Sequence, residues 1–284
     1  MEGARIMAIK DILLHLDDSK AAKARIDATL ALADAQGAHV TGLVAVAAPS
    51  MPGYLRNNLP REALEAQENF LNEISTNAAE RFEKAAKASG VEYELRSLRA
   101  PDAALADAIS VQARHCDLVV MGQEDETDAA SLSREVAEEV LLASGRPLLL
   151  IPYVGLQRPI GKTVAIAWDG GREATRAVND ALPLIQDADS VVIMVVNKGK
   201  RDESRDPGSD IARHLARHGV KVDVQQLQAK DISIADAILD RMADIGADLL
   251  VMGGYGHSRT RELVLGGVTL KILQQMTAPV FMSH

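Results

Sequence analysis

Short apolar runs alternate along the whole chain with longer amphipathic stretches. Residues 118–121, 148–151 and 191–196 are continuously apolar, the character of strands buried on both faces. Residues 91–97 and 220–226 alternate with period two after a glycine, as half-exposed strands do. Between these runs lie patterns with a 3.6-residue repeat. Residues 21–35 are rich in Ala and Leu and stop before Gly37, while residues 62–89 form a long, polar-faced stretch that ends at Gly90. Asp102 and Asp231 stand where further helices would begin, each placed to cap an N-terminus. Strands alternating with helices of this length call for right-handed crossovers and a parallel sheet covered on both faces.

The pattern occurs twice. KDILLHLD at residues 10–17 matches KTVAIAWD at 162–169, and both end in aspartate. ALADAI at 104–109 pairs with IADAIL at 234–239, DLVVMG at 117–122 with DLLVMG at 248–253, and RPLLLI at 146–151 with APVFMS at 278–283. The second apolar runs (39–47 and 190–198) and the alternating runs fall between these blocks in the same order. A repeated order of blocks indicates a duplicated domain. The expected architecture is two tandem doubly wound α/β domains, residues 1–152 and 153–284, joined by a linker at 152–161 with Pro and Gly at both ends. Each domain is expected to hold five parallel strands and four helices, with the strand order taken as 3-2-1-4-5. Strand 5 of each half would then be an apolar edge that needs covering. Association into a homodimer stays open.

With 47% hydrophobic and 25% charged residues, the composition is that of a globular protein. A single cysteine, Cys116, cannot form an internal disulfide, and no apolar run approaches the ~18 residues that span a bilayer. These features suggest a cytoplasmic protein that acts away from membranes. The net charge of −9 is unevenly placed: residues 1–152 hold 15 Lys and Arg against 24 Asp and Glu, and residues 153–284 hold 16 of each. Neither half carries the basic excess of a nucleic-acid binder.

Open α/β sheets bind ligands beyond the carboxyl ends of their strands, where the strand order reverses. In the second half those ends are Asp169 and the pair Met252 and Gly253, followed by GGYGHSRTRELVLGGVT at 253–269. Glycines let the backbone approach a phosphate closely, and the amides before a helix form an anion site, with His257, Arg259 and Arg261 nearby. The spacing Gly253-x-x-Gly256, nine residues, then Gly266, preceded by DLLVM and followed by VT and APV, resembles the nucleotide signature of the universal stress protein family. With the duplication, the resemblance covers nearly the whole chain, suggests a tandem two-domain member, and implies that the two strand 5 edges pair so that the halves form an intramolecular pseudo-dimer. It implies that Asp169 contacts adenine, that Val196 lines the base pocket, and that Met252, Gly253, Gly256, Gly266 and Gly267 hold ribose and phosphates. ATP or another adenine nucleotide, with magnesium, would be the ligand. Where the family usually carries Ser or Thr after the last glycine, this chain has Gly267, which removes a hydroxyl donor and leaves the amide.

The first half keeps the aspartate, Asp17, but Gly122 is followed by Glu124, Asp125, Glu126 and Asp128, and Arg134 and Glu135 stand at the positions of Gly266 and Gly267. Each close pair of like charges costs about 1 kcal/mol at 4 Å in water. The first half is therefore expected not to bind ATP. His214 and His218 have helical i, i+4 spacing without a third metal ligand, and Trp168 sits beside Asp169 either as a base-pocket wall or as packing. No nucleophile elbow, metalloprotease motif or P-loop occurs, so catalysis has no support beyond slow hydrolysis of bound nucleotide. Three readings stay open: a nucleotide-responsive stress protein acting on protein partners, a nucleotide-free scaffold, and a small-molecule or lipid carrier using residues 62–89 as a lid.

Overall fold

The computed structural model describes residues 8–49, 58–197, 208–229, 232–255 and 267–284. They fall into two compact units, Ile9–Ser144 and Gly145–His284.

The first unit runs β1 (Asp11–Leu16), α1 (Ala22–Gln36), β2 (His39–Ala48), α2 (Arg61–Ser89), β3 (Tyr93–Pro101), α3 (Leu105–Ala113), β4 (Leu118–Gly122) and α4 (Arg134–Ser144). Its strands pair in parallel in the order β3-β2-β1-β4, with Asp11 opposite His39 and Ile12 opposite Leu118. Helix α1 buries Ile26, Leu30 and Ala33 at i, i+4 and i+7, then stops at Gly37, whose φ of 61° few other residues adopt. Although α2 has 29 residues, it buries only Ala78, Phe82 and Ala86. Phe82 docks it: the ring lies 2.5 Å from where a Cβ on Gly42 would be, and it meets Tyr93 edge to face at 5.4 Å.

The second unit begins with β5 (Leu148–Ile151) and continues through β6 (Thr163–Trp168), α5 (Arg172–Asp180), α6 (Leu182–Ile185), β7 (Ser190–Asn197), α7 (Ser209–Arg217), β8 (Val222–Gln228), α8 (Ile234–Ile245), β9 (Leu249–Gly253), α9 (Gly267–Gln275) and β10 (Val280–Ser283). The order β8-β7-β6-β9-β10 is parallel throughout, and β5 joins β10 antiparallel, with Leu150 opposite Val280. Numbered within its own half, the second set reads 3-2-1-4-5. The first of its four expected helices is broken into α5 and α6, because Pro183 has no N–H for a continuous helix.

The aspartate caps differ from expectation. Asp102 opens a 3-10 turn (Asp102–Ala104) ahead of α3 and makes no cap bond. Asp231 lies outside the described residues. Helix α8 is capped by Ser233, whose hydroxyl accepts from the Asp236 amide at 3.2 Å while Asp236 accepts from the Ser233 amide at 3.3 Å.

An aspartate before the fourth strand of each half pins the start of the first strand. Asp117 Oδ2 accepts from the amides of Lys10 and Asp11 at 2.8 and 3.1 Å. Asp248, 6% exposed, accepts from Gly161, Lys162 and Thr163 at 2.6, 3.0 and 2.8 Å. This clamp holds β6 beside β9, and so fixes where their carboxyl ends emerge. None of the described helices is long and apolar enough to cross a membrane.

Hydrogen bonds to a charged group are worth roughly 1.5–3 kcal/mol, and removing Asp248 leaves three amides without this partner, one in a buried and two in part-buried bonds. Asp248→Ala is expected to lower stability by about 3 kcal/mol or more in urea denaturation. Asp117→Ala, with two amides in a more exposed setting, is expected to cost clearly less. Equal costs would contradict this account of the clamp.

Candidate functional site

Strands β6 and β9 end side by side, with Ala167 opposite Met252, so Asp169 and Gly253 emerge from neighbouring strands. On the other side of β6, Trp168 pairs with Val195, which places Val196 at the end of β7 beside Asp169. The fold thus gathers Asp169, Val196, Met252 and Gly253 at one end of the sheet, although the Val196 side chain lies outside the described residues. Gly256 and Gly266 also lie outside them. Gly267 is the first residue of α9, exposed, with nothing within 4 Å of a Cβ built on it.

The loop after β6 is small and open. Asp169 is exposed, Gly170 has φ 75°, and Asp169 Oδ1 accepts from the Gly171 amide at 2.8 Å. Only a residue without a side chain takes that φ readily, so Gly170 turns the chain directly from strand into α5. Met252 is 5% exposed and forms part of the floor. Gly253 lies against the helix that follows β6. A Cβ there would lie 2.5 Å from the Ala174 amide nitrogen and 2.9 Å from Glu173 Cβ, so the glycine lets the first turn of α5 seat against β9. Past it, Gly254 donates to Ser283 O at 2.9 Å and accepts from His284 Nδ1 at 3.0 Å. Tyr255 then turns left-handed at φ 55°, a rare conformation for an aromatic residue and a mark of strain at the mouth of the glycine segment.

Sequence reasoning passed over Glu173. It is 7% exposed and lies beside Gly253. Burial pushes its carboxyl up, but Arg172, 2.9 Å away, and its own backbone amide outweigh this and hold it below the ordinary value. The glycine pair before it, which frees the helix start to approach β9, was the available signal.

At the matched end of the first unit the arrangement is reversed. Asp17 is drawn inward and paired with Arg25 Nη2 at 2.8 Å, and its Oδ1 accepts from the Ser19 amide and hydroxyl at 3.0 and 2.5 Å. Arg25 is 2% exposed; its Nε donates to His15 O at 3.1 Å, and its Nη1 lies against Gly122. Burial pushes the Asp17 carboxyl up, while Arg25, His15 and Ser19 together hold it below the usual range. His15 is 1% exposed, with Nδ1 3.7 Å from Asp17 Oδ2; burial lowers its pKa from 6.5 to about 4 despite the carboxylate. The neighbouring Asp18 is held by Arg81 and Asn77 of α2 at 2.8 and 3.2 Å.

The acidic run that follows is folded onto the same place. Asp128 Oδ2 accepts from the Lys20 amide at 2.8 Å, just ahead of α1, where a phosphate would otherwise find donors. Asp125 is tied to Thr127 by bonds of 2.6 and 3.0 Å, and Arg134 is surrounded by Glu124, Glu135 and Glu138.

The remaining candidates stay apart from these ends. The His214 and His218 rings lie 4.7 Å apart, tilted by 59°, and His214 bonds Asn179 at 3.2 Å; among the described residues no group of three or more metal-ligating side chains forms. Cys116 is buried and donates to Ala113 O. A cleft of about 320 Å³ opens at the opposite ends of β1–β3, near Asp11, His39 and His115, but its Arg96 and Glu94 are paired with each other at 2.5 Å.

The sequence pattern that describes the universal stress protein family matches residues 8–152 and again 161–284. The universal stress protein Slr1230 of Synechocystis is 26% identical over 169 residues, 58% of this chain and 56% of that protein, so the chain spans little more than half the length of this relative. Among solved structures, a universal stress protein from Archaeoglobus fulgidus superposes with a TM-score of 0.70 at 16% identity, covering 95% of this chain and 94% of that one. A universal stress protein from Pseudomonas aeruginosa superposes at 0.57 with 16% identity, covering 96% and 92%.

Two outcomes follow from this geometry. Gly253→Ala forces the α5 backbone to move and is expected to cost about 1–3 kcal/mol, whereas Gly267→Ala is expected to stay within about 0.5 kcal/mol. Urea denaturation of both variants checks this, and a neutral Gly253→Ala would contradict the close seating of α5. The second outcome concerns acid. Unfolded His15 takes a proton near pH 6.5 and folded His15 only near pH 4, so the unfolded chain binds more protons in that window. The stabilisation is complete above pH 6.5 and is lost as pH falls toward 4, by roughly 3 kcal/mol; Asp17, with its pKa lowered, adds loss in the same direction at lower pH. His15→Ala is expected to flatten the dependence of the urea midpoint on pH between 6.5 and 4, and an unchanged slope would contradict it.

Proposed function

From the premise that the chain belongs to the universal stress protein family, with two tandem copies of its fold, we propose that it is a regulatory stress protein that binds one adenine nucleotide, ATP or a relative, in the second unit. Asp169 and Val196 receive the base, and Met252, Gly253, Gly256, Gly266 and Gly267 surround ribose and phosphates. The carrying observation is the contrast between the two strand ends: Asp169 is exposed on a glycine loop, whereas the Asp17 side chain is only 10% exposed and is paired with Arg25. An exposed carboxylate accepts from the exocyclic amine of adenine, and amides at the start of α9 (Gly267–Gln275) suit phosphate oxygens. Arg259 and Arg261 add positive charge in the same segment, and magnesium would neutralise the phosphates from the solvent side.

Gly253 supports this reading indirectly, by seating α5, and Glu173 behind it is neutralised locally by Arg172. Nucleotide bound at residues 253–267 alters a surface that protein partners read. The protein acts in the cytoplasm, away from membranes and nucleic acid, and any ATP hydrolysis is slow and incidental to signalling.

Calorimetric titration tests the proposal. Wild type is expected to bind one ATP per chain. Asp169→Ala is expected to weaken binding roughly tenfold, the equivalent of one hydrogen bond. Gly256→Val should abolish binding, and Asp125→Asn should leave it unchanged. Two sites per chain, or full affinity in Gly256→Val, would overturn the assignment, while no binding at all would favour the nucleotide-free scaffold.

A further inference from the structure

Arg25 is the only lysine or arginine buried among the described residues. Burying a guanidinium is costly, and nothing in the packing of α1 demands it. Aligning Asp17 with Asp169 puts Ala177 at the matched position, 0% exposed, and puts Ala167 at the position of His15. The guanidinium reaches from the end of β1 to the end of β4, the two strands that flank the reversal of strand order. It donates to His15 O at 3.1 Å, pairs with Asp17 at 2.8 Å and lies against Gly122. A carboxylate, a carbonyl and a glycine wall around a planar group have the composition of a ligand site. Here the planar group belongs to the chain itself.

We propose that Arg25 is an internal occupant of the first unit's cleft: it fills a site suited to a planar, amine-bearing group and keeps that unit closed to ligands. Removing the side chain exposes Asp17 Oδ1 and the His15 carbonyl to a ligand of the same chemistry, a small guanidinium or the amine edge of a base. Phosphates stay excluded even then, because the Asp128 carboxylate already holds the Lys20 amide. The class of the opened site is therefore a cation or an uncharged nucleoside, not a nucleotide. The nucleoside part rests on the proposed reading of Asp169; the guanidinium part does not.

The test is thermal unfolding of full-length wild type, Arg25→Ala and the double variant Asp17→Asn/Arg25→Ala, with methylguanidinium as the probe and sodium and tetramethylammonium at equal ionic strength as controls. Methylguanidinium is expected to raise the midpoint of Arg25→Ala by about 2–4 °C and to leave wild type and the double variant within the controls. An alanine variant that folds only in the presence of methylguanidinium would be the same result in stronger form. A folded Arg25→Ala that does not respond, or a double variant that responds equally, would overturn the proposal. If Arg25→Ala fails to fold under every condition, Arg25→Ser takes its place under the same criteria. In parallel, equilibrium dialysis counts adenosine: one per chain in wild type and two in Arg25→Ala, with ATP staying at one. Loss of all nucleotide binding by wild type would remove the reading of the second unit, while the methylguanidinium result would still decide the role of Arg25.

Discussion

A carboxylate at the end of the first strand sits where the sheet reverses its order, and its charge has to be met either by the protein or by something that arrives from outside. In the first unit the protein meets it. Asp17 is paired with Arg25, accepts from Ser19, and is covered closely enough that His15 beside it is held neutral well below its ordinary range. In the second unit the equivalent carboxylate, Asp169, stays in solvent and bonds only its own loop among the described residues. Among the described residues the duplicated fold thus pairs one strand-end carboxylate internally and leaves the other exposed, and an arginine stands on the first helix of one unit where the other has an alanine.

The surrounding loops follow from that choice. Beside Arg25, which fills the space next to Gly122, the first unit's strand end is tied further by Arg81 from the long helix α2 and by Asp128 from the acidic run. With Ala177 in the second unit, α5 seats directly on Gly253, and the glycine loop ahead of it carries no side chain to fill the opening. The frame beneath is shared. Asp117 and Asp248 pin β1 and β6 at their opposite ends by the same device.

Much of the frame was legible in the sequence because periodicity and duplication report on burial. The doubled DLVVMG and DLLVMG blocks located β4 and β9, and the first-strand aspartates located the cleft. Helix starts were less legible: Asp102 and Ser233 are both capable caps, and only the local backbone decides between a 3-10 turn and a capping box. At the site, the glycine spacing carried the nucleotide reading, but it could not say that Gly253 also lets α5 seat against β9. Arg25 and Glu173 were missed for one reason. A charged residue in a helical pattern reads as solvent-facing, and its burial depends on partners, Asp17 and Arg172, whose geometry exists only in the folded chain.

The central claim is that the two strand ends differ in their availability to ligand, and hydrogen–deuterium exchange with peptide resolution addresses it most directly. On addition of saturating ATP, slowed exchange is expected in peptides covering residues 163–171 and 249–267, with no change in those covering 11–20 and 118–128. Protection that appears equally at both ends, or only in the first unit, would contradict the account.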